Sequence, residues 1–262
     1  MIQSSRVVYL GIDVQKAFGR EAKSANLATL ASHPEGDEAA EVLNNARLAS
    51  AVYEVGGTVI VTKDWHNPLG TPLTADGQTL VDDRAAEEFA IYGEHATPAD
   101  GDSDLNAALE SALQQLEKSE GRRRTVIPVD RFEGTVHGES SRIFEVHKNV
   151  YDITLRKQLP DGSLVPHEAF WDLLKSQMAD GPVTLVLAGK IAEVCVSAGA
   201  LSLLKALPGL DLVVPEDAVS SLPSELARQL QLPTKPEVMD QLRQGGARVV
   251  KTEELLGWLA PR

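Results

Sequence analysis

The sequence predicts an α/β protein: a three-layer sandwich with a mostly parallel six-stranded sheet flanked by helices. Short apolar, β-branched runs alternate with longer amphipathic ones along the chain, the pattern of strands joined by helical crossovers. Most of the short runs are apolar at consecutive positions, as strands covered on both faces must be. The length, 262 residues, suits one α/β unit with a full-sized core.

Taken in order, residues 7–13 (VVYLGID) make the first strand and drive an acidic side chain into its end. Residues 37–55 carry helical composition, and residues 58–63 (TVIVTK) follow as the second strand. A helix over 104–118 precedes a strand over 143–148. Helix 167–178, strand 183–189, helix 195–206, strand 210–215, helix 236–244 and strand 247–250 complete the alternation. Residues 124–129 read as a weaker seventh strand. The acidic, turn-rich stretch 94–104 and the charged stretch 118–124 read as solvated loops around an inserted helix. The expectation is a single domain over 1–262 with an insertion around 97–142 that lids the site or forms an oligomer contact.

Composition narrows the function. There are 25 basic against 38 acidic side chains, a formal charge of −13. Nucleic acid and anionic membranes are poor partners for such a chain, because both demand a basic face that displaces counterions. One cysteine, Cys195, excludes an intrachain disulfide and fits a reducing compartment. Residues 1–15 lack the basic and apolar regions of a signal peptide, and apolar runs such as 183–188 fall short of the roughly 18 residues of a membrane span. The expectation is a cytoplasmic protein. No GxGxxG or GxxxxGK[ST] occurs, so a phosphate cradle is not expected.

In open α/β sheets, ligands bind outside the carboxyl ends of the strands. That rule selects Asp13, Asp64, His66, Lys148 and Cys195, which close or follow four predicted strands. Each has an ordinary reading as well. Asp13 suits a helix N-cap or turn, Cys195 a packed apolar position, and Lys148 a surface lysine at a strand end. Cys195 gains interest from its strand-to-helix junction, where the positive end of a helix dipole lowers a thiol pKa and amides face a developing oxyanion. Asp64-Trp65-His66 places a carboxylate and an imidazole on one side of an extended loop, suited to a borderline divalent ion. His95 is a candidate third ligand from another loop, with Asp130 and His137 as alternatives. Glu133, Glu139, His147 and His167 read as surface or supporting residues, and Glu193 as a structural acceptor near the nucleophile.

Five segments in order resemble the isochorismatase-like cysteine hydrolase superfamily, and most its nicotinamidase branch. They are residues 7–18 with Asp13 and Phe18, Thr62-Lys63-Asp64-Trp65-His66, Tyr92-Gly93-Glu94-His95, Lys148-Asn149-Val150-Tyr151-Asp152, and residues 189–196 ending in Cys195-Val196. The resemblance covers most of the chain and implies the isochorismatase-like hydrolase fold. It makes Cys195 the nucleophile, Asp13 its general base and Lys148 the cation beside both, attacking a carboxamide and passing through a thioester. It puts the oxyanion against the amides of Cys195 and Ile191, with a cis peptide between Lys190 and Ile191. It makes Asp64, His66 and His95 the ligands of a divalent metal, zinc first with manganese or iron as alternatives, and Phe18 and Trp65 the aromatic walls for a flat ring.

The implied reaction is nicotinamide to nicotinate and ammonia, with a small-molecule amide as the partner. Alternatives are an amidase of the superfamily acting on a carbamoyl or ureido substrate, and a catalytically silent binding protein that kept the fold. An isochorismatase proper would leave Cys195 unused. One departure stands out: Ile191 and Ala192 occupy positions where nicotinamidases usually show Ala-Thr, so a bulkier oxyanion wall is expected. Helices flanking the sheet and the insertion make a homo-oligomer the expected state.

Overall fold

The computed structural model describes residues 6–19, 21–23, 38–66, 85, 89–90, 93–98, 101–129, 141–159 and 161–260. The strands are β1 (Arg6–Ile12), β2 (Thr58–Asp64), β3 (Thr125–Ile127), β4 (Ile143–Lys148), β5 (Leu155–Gln158), β6 (Leu164–Pro166), β7 (Val183–Gly189), β8 (Asp211–Pro215) and β9 (Arg248–Val250). The helices are α1 (Glu38–Glu54), α2 (Ala107–Glu120), α3 (Glu168–Met178), α4 (Ser197–Ala206), α5 (Ser224–Gln229), α6 (Lys235–Gln244) and α7 (Thr252–Leu259).

Among the described residues, seven strands form the main sheet, in the order β3-β4-β2-β1-β7-β8-β9, and each neighbouring pair is parallel. The six-strand expectation is thereby corrected. The stretch 124–129 contributes a short edge strand, β3, which pairs only with β4. An antiparallel ribbon, β5-β6, lies outside the main sheet.

Alternation along the strands divides the core into two layers. Val8, Leu10 and Ile12 of β1 and Leu185 and Leu187 of β7 pack with residues of α3, α4 and α6. Val7 and Tyr9 of β1 and Val186 and Ala188 of β7 pack with residues of α1, α2 and α7. These are the outer layers of the sandwich. The helix over 104–118 belongs to one of them: it starts at Ala107, and Leu109, Leu113 and Leu116 are buried. It starts late because Leu105 is held in a bridge to Gln15 and Asn106 N–H donates to the Val14 carbonyl. Gly121 ends it in the left-handed conformation, with φ 72°.

From β1 the chain builds outward through β2 and β4, then returns to β7 on the other side of β1. The crevice between the carboxyl ends of β1 and β7 is the point where strand order reverses, the preferred ligand position of such sheets. The two ends approach closely there. Gly189 has φ 121°, and a Cβ on it would lie 2.0 Å from the Ile12 carbonyl oxygen, so only glycine fits. Among the described residues no helix is long and apolar enough to cross a membrane.

Candidate active site

Register places the polar residues. β1 ends at Ile12, one residue short of the expected strand end, because Asp13 leaves it with φ 46°. A non-glycine residue there is unusual and must be held by its surroundings. Thr62 of β2 supplies the hold: its Oγ1 accepts from Asp13 N–H at 3.0 Å and donates to Asp13 Oδ1 at 2.6 Å. In the β2–β4 register, Asp64 stands beside Lys148 and Lys63 beside His147. Period-two alternation then sends the first pair to one face of the sheet and the second pair to the other.

Lys148 is fully buried, with Nζ 2.7 Å from Asp13 Oδ2 and 3.7 Å from Asp64 Oδ1. A buried ammonium between two carboxylates is stable only as such a cluster. The two carboxylates hold Lys148 protonated against the effect of burial. Burial pushes the Asp13 carboxyl up, with Lys148 opposing. Burial likewise pushes the half-buried Cys195 thiol up, Lys148 opposes it, and the nearby Asp13 carboxylate adds to the rise. The structure thus brings Asp13, Lys148 and Cys195 together.

Cys195 lies in a π-helical turn, Ala192–Val196, ahead of α4, which begins at Ser197 and not at residue 195. The Ile191 carbonyl accepts from both Val194 N–H and Val196 N–H at 3.1 Å, and single π turns of this kind recur at functional sites. The Lys190–Ile191 peptide bond is cis. The backbone amide of Ile191 carries no hydrogen bond within the described residues. The bulk of the Ile191 side chain is absorbed in a small cluster with Leu222 and Ala227. Glu193 accepts from Leu222 N–H at 3.1 Å, the acceptor role its position suggested.

Beside Lys148, one donor atom each from Asp64, His66 and His95 lies within 4.8 Å of the others, and all three residues are buried. His66 Nε2 is 3.2 Å and His95 Nε2 3.7 Å from Asp64 Oδ2. His95 Nδ1 donates to the Gly93 carbonyl at 2.6 Å, which turns Nε2 toward Asp64. Burial opposes ionisation of Asp64, but Lys148, His66 and His95 outweigh it and hold the carboxyl well below its ordinary range. Burial, with His66 adding to it, pushes the His95 imidazole down, toward its neutral form. A carboxylate and neutral imidazoles are the forms that ligate zinc, and Asp64 Oδ1 has no hydrogen-bond partner in the structure. The residues fit a divalent metal. The alternatives Asp130 and His137, together with Tyr92, Glu133 and Glu139, lie outside the described residues.

Phe18 is buried with Ala17 and Ala96, its ring 5.7 Å from that of His95. Trp65 is placed differently. It stacks on His147 with centroids 4.4 Å apart and an interplanar angle of 9°, so one of its faces is taken. Sequence reading missed three residues here. Gln15 is fully buried and clamps the Asp64 backbone, accepting from its N–H at 2.8 Å and donating to its carbonyl at 2.9 Å. Thr62 holds Asp13, as described. Phe89 sets its ring 5.6 Å from His66 and 5.5 Å from His95. Only the backbone partnering of Gln15 would have marked it in advance, and that depends on a fold already formed.

On the opposite face, Glu145 gathers Lys63 at 3.1 Å, His147 at 2.8 Å and Arg124 at 3.3 Å. This network anchors the residues preceding Asp64 and Lys148, and through His147 the Trp65 ring. It borders a cleft of about 1080 Å³ that includes Lys16, Glu110 and Glu117 but none of Asp13, Lys148 or Cys195. Burial opposes ionisation of Glu145, yet His147, Lys63 and Arg124 bring its carboxyl down to about 2 from an ordinary 4.5. A depressed carboxyl stabilises the fold above its unfolded pKa and loses that contribution as pH falls through the folded one. Denaturant titrations of wild type and Glu145→Gln should therefore differ by about 2 to 3 kcal/mol near neutral pH. The gap should close between pH 4.5 and about 2, and a pH-independent gap would count against this network.

A scan against protein-family models matches none, and comparison with curated proteins finds no match. Solved structures do match. A nicotinamidase from Bacillus subtilis superposes with a TM-score of 0.58 at 17% identity, covering 94% of this chain and 99% of that one. The fold is isochorismatase-like. An isochorismatase family protein from Desulfovibrio vulgaris gives 0.57 at 17% identity, covering 98% and 100%. An N-carbamoylsarcosine amidase from Thermoplasma acidophilum gives 0.53 at 18% identity, covering 95% and 97%. Each superposition covers at least 94% of this chain, so the likeness extends over the whole fold.

Proposed function

We propose that the chain is a cysteine-dependent amidohydrolase of the isochorismatase-like superfamily that converts nicotinamide to nicotinate and ammonia through a thioester on Cys195. The observation that carries this reading is the buried Asp13–Lys148 pair, 2.7 Å apart, at the thiol of the chain's one cysteine. The nicotinamidase and carbamoyl amidase among the structural neighbours agree with it.

The raised carboxyl of Asp13 makes it a stronger base than a solvated aspartate. It takes the thiol proton, and Lys148 stabilises the resulting thiolate. The sulfur attacks the amide carbon, and the oxyanion is met by the amides of Ile191 and Cys195 at the head of the π turn. Asp13 returns its proton to the leaving nitrogen, which departs as ammonia and leaves an acyl thioester. Water then attacks the thioester carbon while Asp13 accepts one of its protons. The acid is released, and that proton restores the thiol. Asp64, His66 and His95 would hold the metal, zinc with manganese or iron as alternatives. When bound, it supplies an open coordination position that orients the pyridine nitrogen. Phe18 would pack on the ring.

Ammonia release from nicotinamide, beside a panel of carbamoyl and ureido compounds, tests the substrate. Nicotinamide should be turned over in preference to the panel. Stripping with a chelator should lower the rate by more than about 100-fold, with zinc restoring it. Turnover of carbamoyl compounds alone would overturn the substrate, and a rate indifferent to chelation would overturn the metal.

A further inference from the structure

Another buried charge cluster adjoins the nucleophile turn, and the hydrolytic scheme does not use it. Lys190 is fully buried. Its Nζ donates to the Phe18 carbonyl at 3.2 Å and lies 3.7 Å from Glu41 Oε2. Glu41, on α1, is buried too, and its Oε1 accepts from Asn45 Nδ2 at 2.9 Å. Asn45 accepts in turn from the Tyr9 hydroxyl at 2.6 Å and donates to the Ala218 carbonyl at 2.9 Å. The countercharge of Lys190 is therefore fixed to β1, α1 and the segment that follows β8.

The backbone of Lys190 is held as firmly. Its N–H donates to the Ile12 carbonyl at 2.8 Å, directly before Asp13. Ser220 N–H donates to the Gly189 carbonyl at 3.0 Å, and Ala192 N–H to the Ser220 carbonyl at 2.8 Å. Lys190 thus sits in the turn that presents the Ile191 amide, while its side chain crosses to the backbone of Phe18. Burying an ammonium is costly unless it is paired and hydrogen-bonded, and an apolar side chain would fill the same space without that cost. The cation is accounted for by what it connects.

We propose that Lys190 is a positioning residue: its ammonium, balanced by Glu41, fixes the Phe18 wall relative to the turn that offers the Ile191 amide to the oxyanion. The proposal rests on the hydrolase reading above, and it assigns Lys190 and Glu41 a part in setting both substrate placement and transition-state contact. It makes no demand on Asp13, Lys148 or the metal ligands.

Two variants test it, Lys190→Met and the double variant Lys190→Met with Glu41→Gln. The single change takes from the buried Glu41 carboxylate its near cation, leaving only the weaker influence of Lys235, and should lower stability, whereas the double removes both charges of the pair and should recover it. In both, kcat/KM should fall about 10- to 100-fold, as a displaced contact at the reacting centre does. Affinity for pyridine-3-carbaldehyde, whose carbonyl carbon adds the Cys195 sulfur and leaves an oxyanion in the same place, should fall by the same factor. Alkylation of Cys195 by iodoacetamide uses no oxyanion contact and should stay within about twofold of wild type. A stable double variant with wild-type kcat/KM and aldehyde affinity would overturn the proposal, leaving the pair a purely structural one. A wild-type protein that neither releases ammonia nor binds the aldehyde would instead overturn the hydrolase reading, and this proposal with it.

Discussion

If Cys195 is the nucleophile proposed above, Cys195→Ala should lower kcat for amide hydrolysis by roughly 10⁴-fold or more, because removing a nucleophile from a unit of nucleophile, base and oxyanion contacts removes the covalent route itself. The same change should barely alter stability. Cys195 is half-buried and packs at the margin of the larger core, so losing one sulfur costs about 1 kcal/mol. This separation of effects is what distinguishes a reactive thiol from a packed one. A variant that unfolds while its soluble fraction keeps wild-type turnover would make Cys195 a core residue and nothing more. The check is steady-state kinetics paired with denaturant unfolding of the same preparation.

Lys148→Met should have the opposite profile, losing both stability and activity. The change removes the cation that, among the described residues, lies within 4 Å of both the buried Asp13 carboxylate and the near oxygen of Asp64. Breaking a buried pair in this way costs about 3 to 5 kcal/mol. Its pH dependence is diagnostic. With Lys148 gone, only the Thr62 hydrogen bond opposes the effect of burial and of the neighbouring Asp64 carboxylate on Asp13, so its folded pKa rises further above the unfolded value. The folded variant then binds more protons than the unfolded chain, and its stability should increase as pH falls from about 8 to about 5. Unfolding titrations across that range check it, and a variant as stable as wild type near neutral pH would mean that Lys148 is not the counterion the structure shows.

Much of this arrangement was legible in the chain because it depends on local pattern. Apolar runs such as 183–189 read as covered strands, and Asp13, Lys148 and Cys195 stand at or just beyond strand ends, where the fold class puts ligands. What escaped depends on pairing at a distance. The ribbon β5-β6 is built from LRKQ and LVP, too short and too polar for a period to show. Helix α7, TEELLGWL, follows β9 after a single residue and spans only two turns. Gln15 and Thr62 are ordinary polar residues until β1 and β2 come together, and only then do they clamp Asp64 and Asp13. Trp65 was legible as an aromatic between the candidate metal ligands Asp64 and His66 but not in its partner, since the His147 ring reaches it across the β2–β4 register. Lys190 reads as one more lysine at a turn, and its burial against Glu41 appears only when α1 is laid over β1.

Covalent catalysis by Cys195 can be caught by mass spectrometry of wild-type protein quenched in acid during turnover of nicotinamide. An acyl adduct is expected on the peptide carrying Cys195, released by hydroxylamine and missing from both the substrate-free control and Cys195→Ala. Steady turnover with an unmodified Cys195 peptide, undiminished in Cys195→Ala, would contradict it.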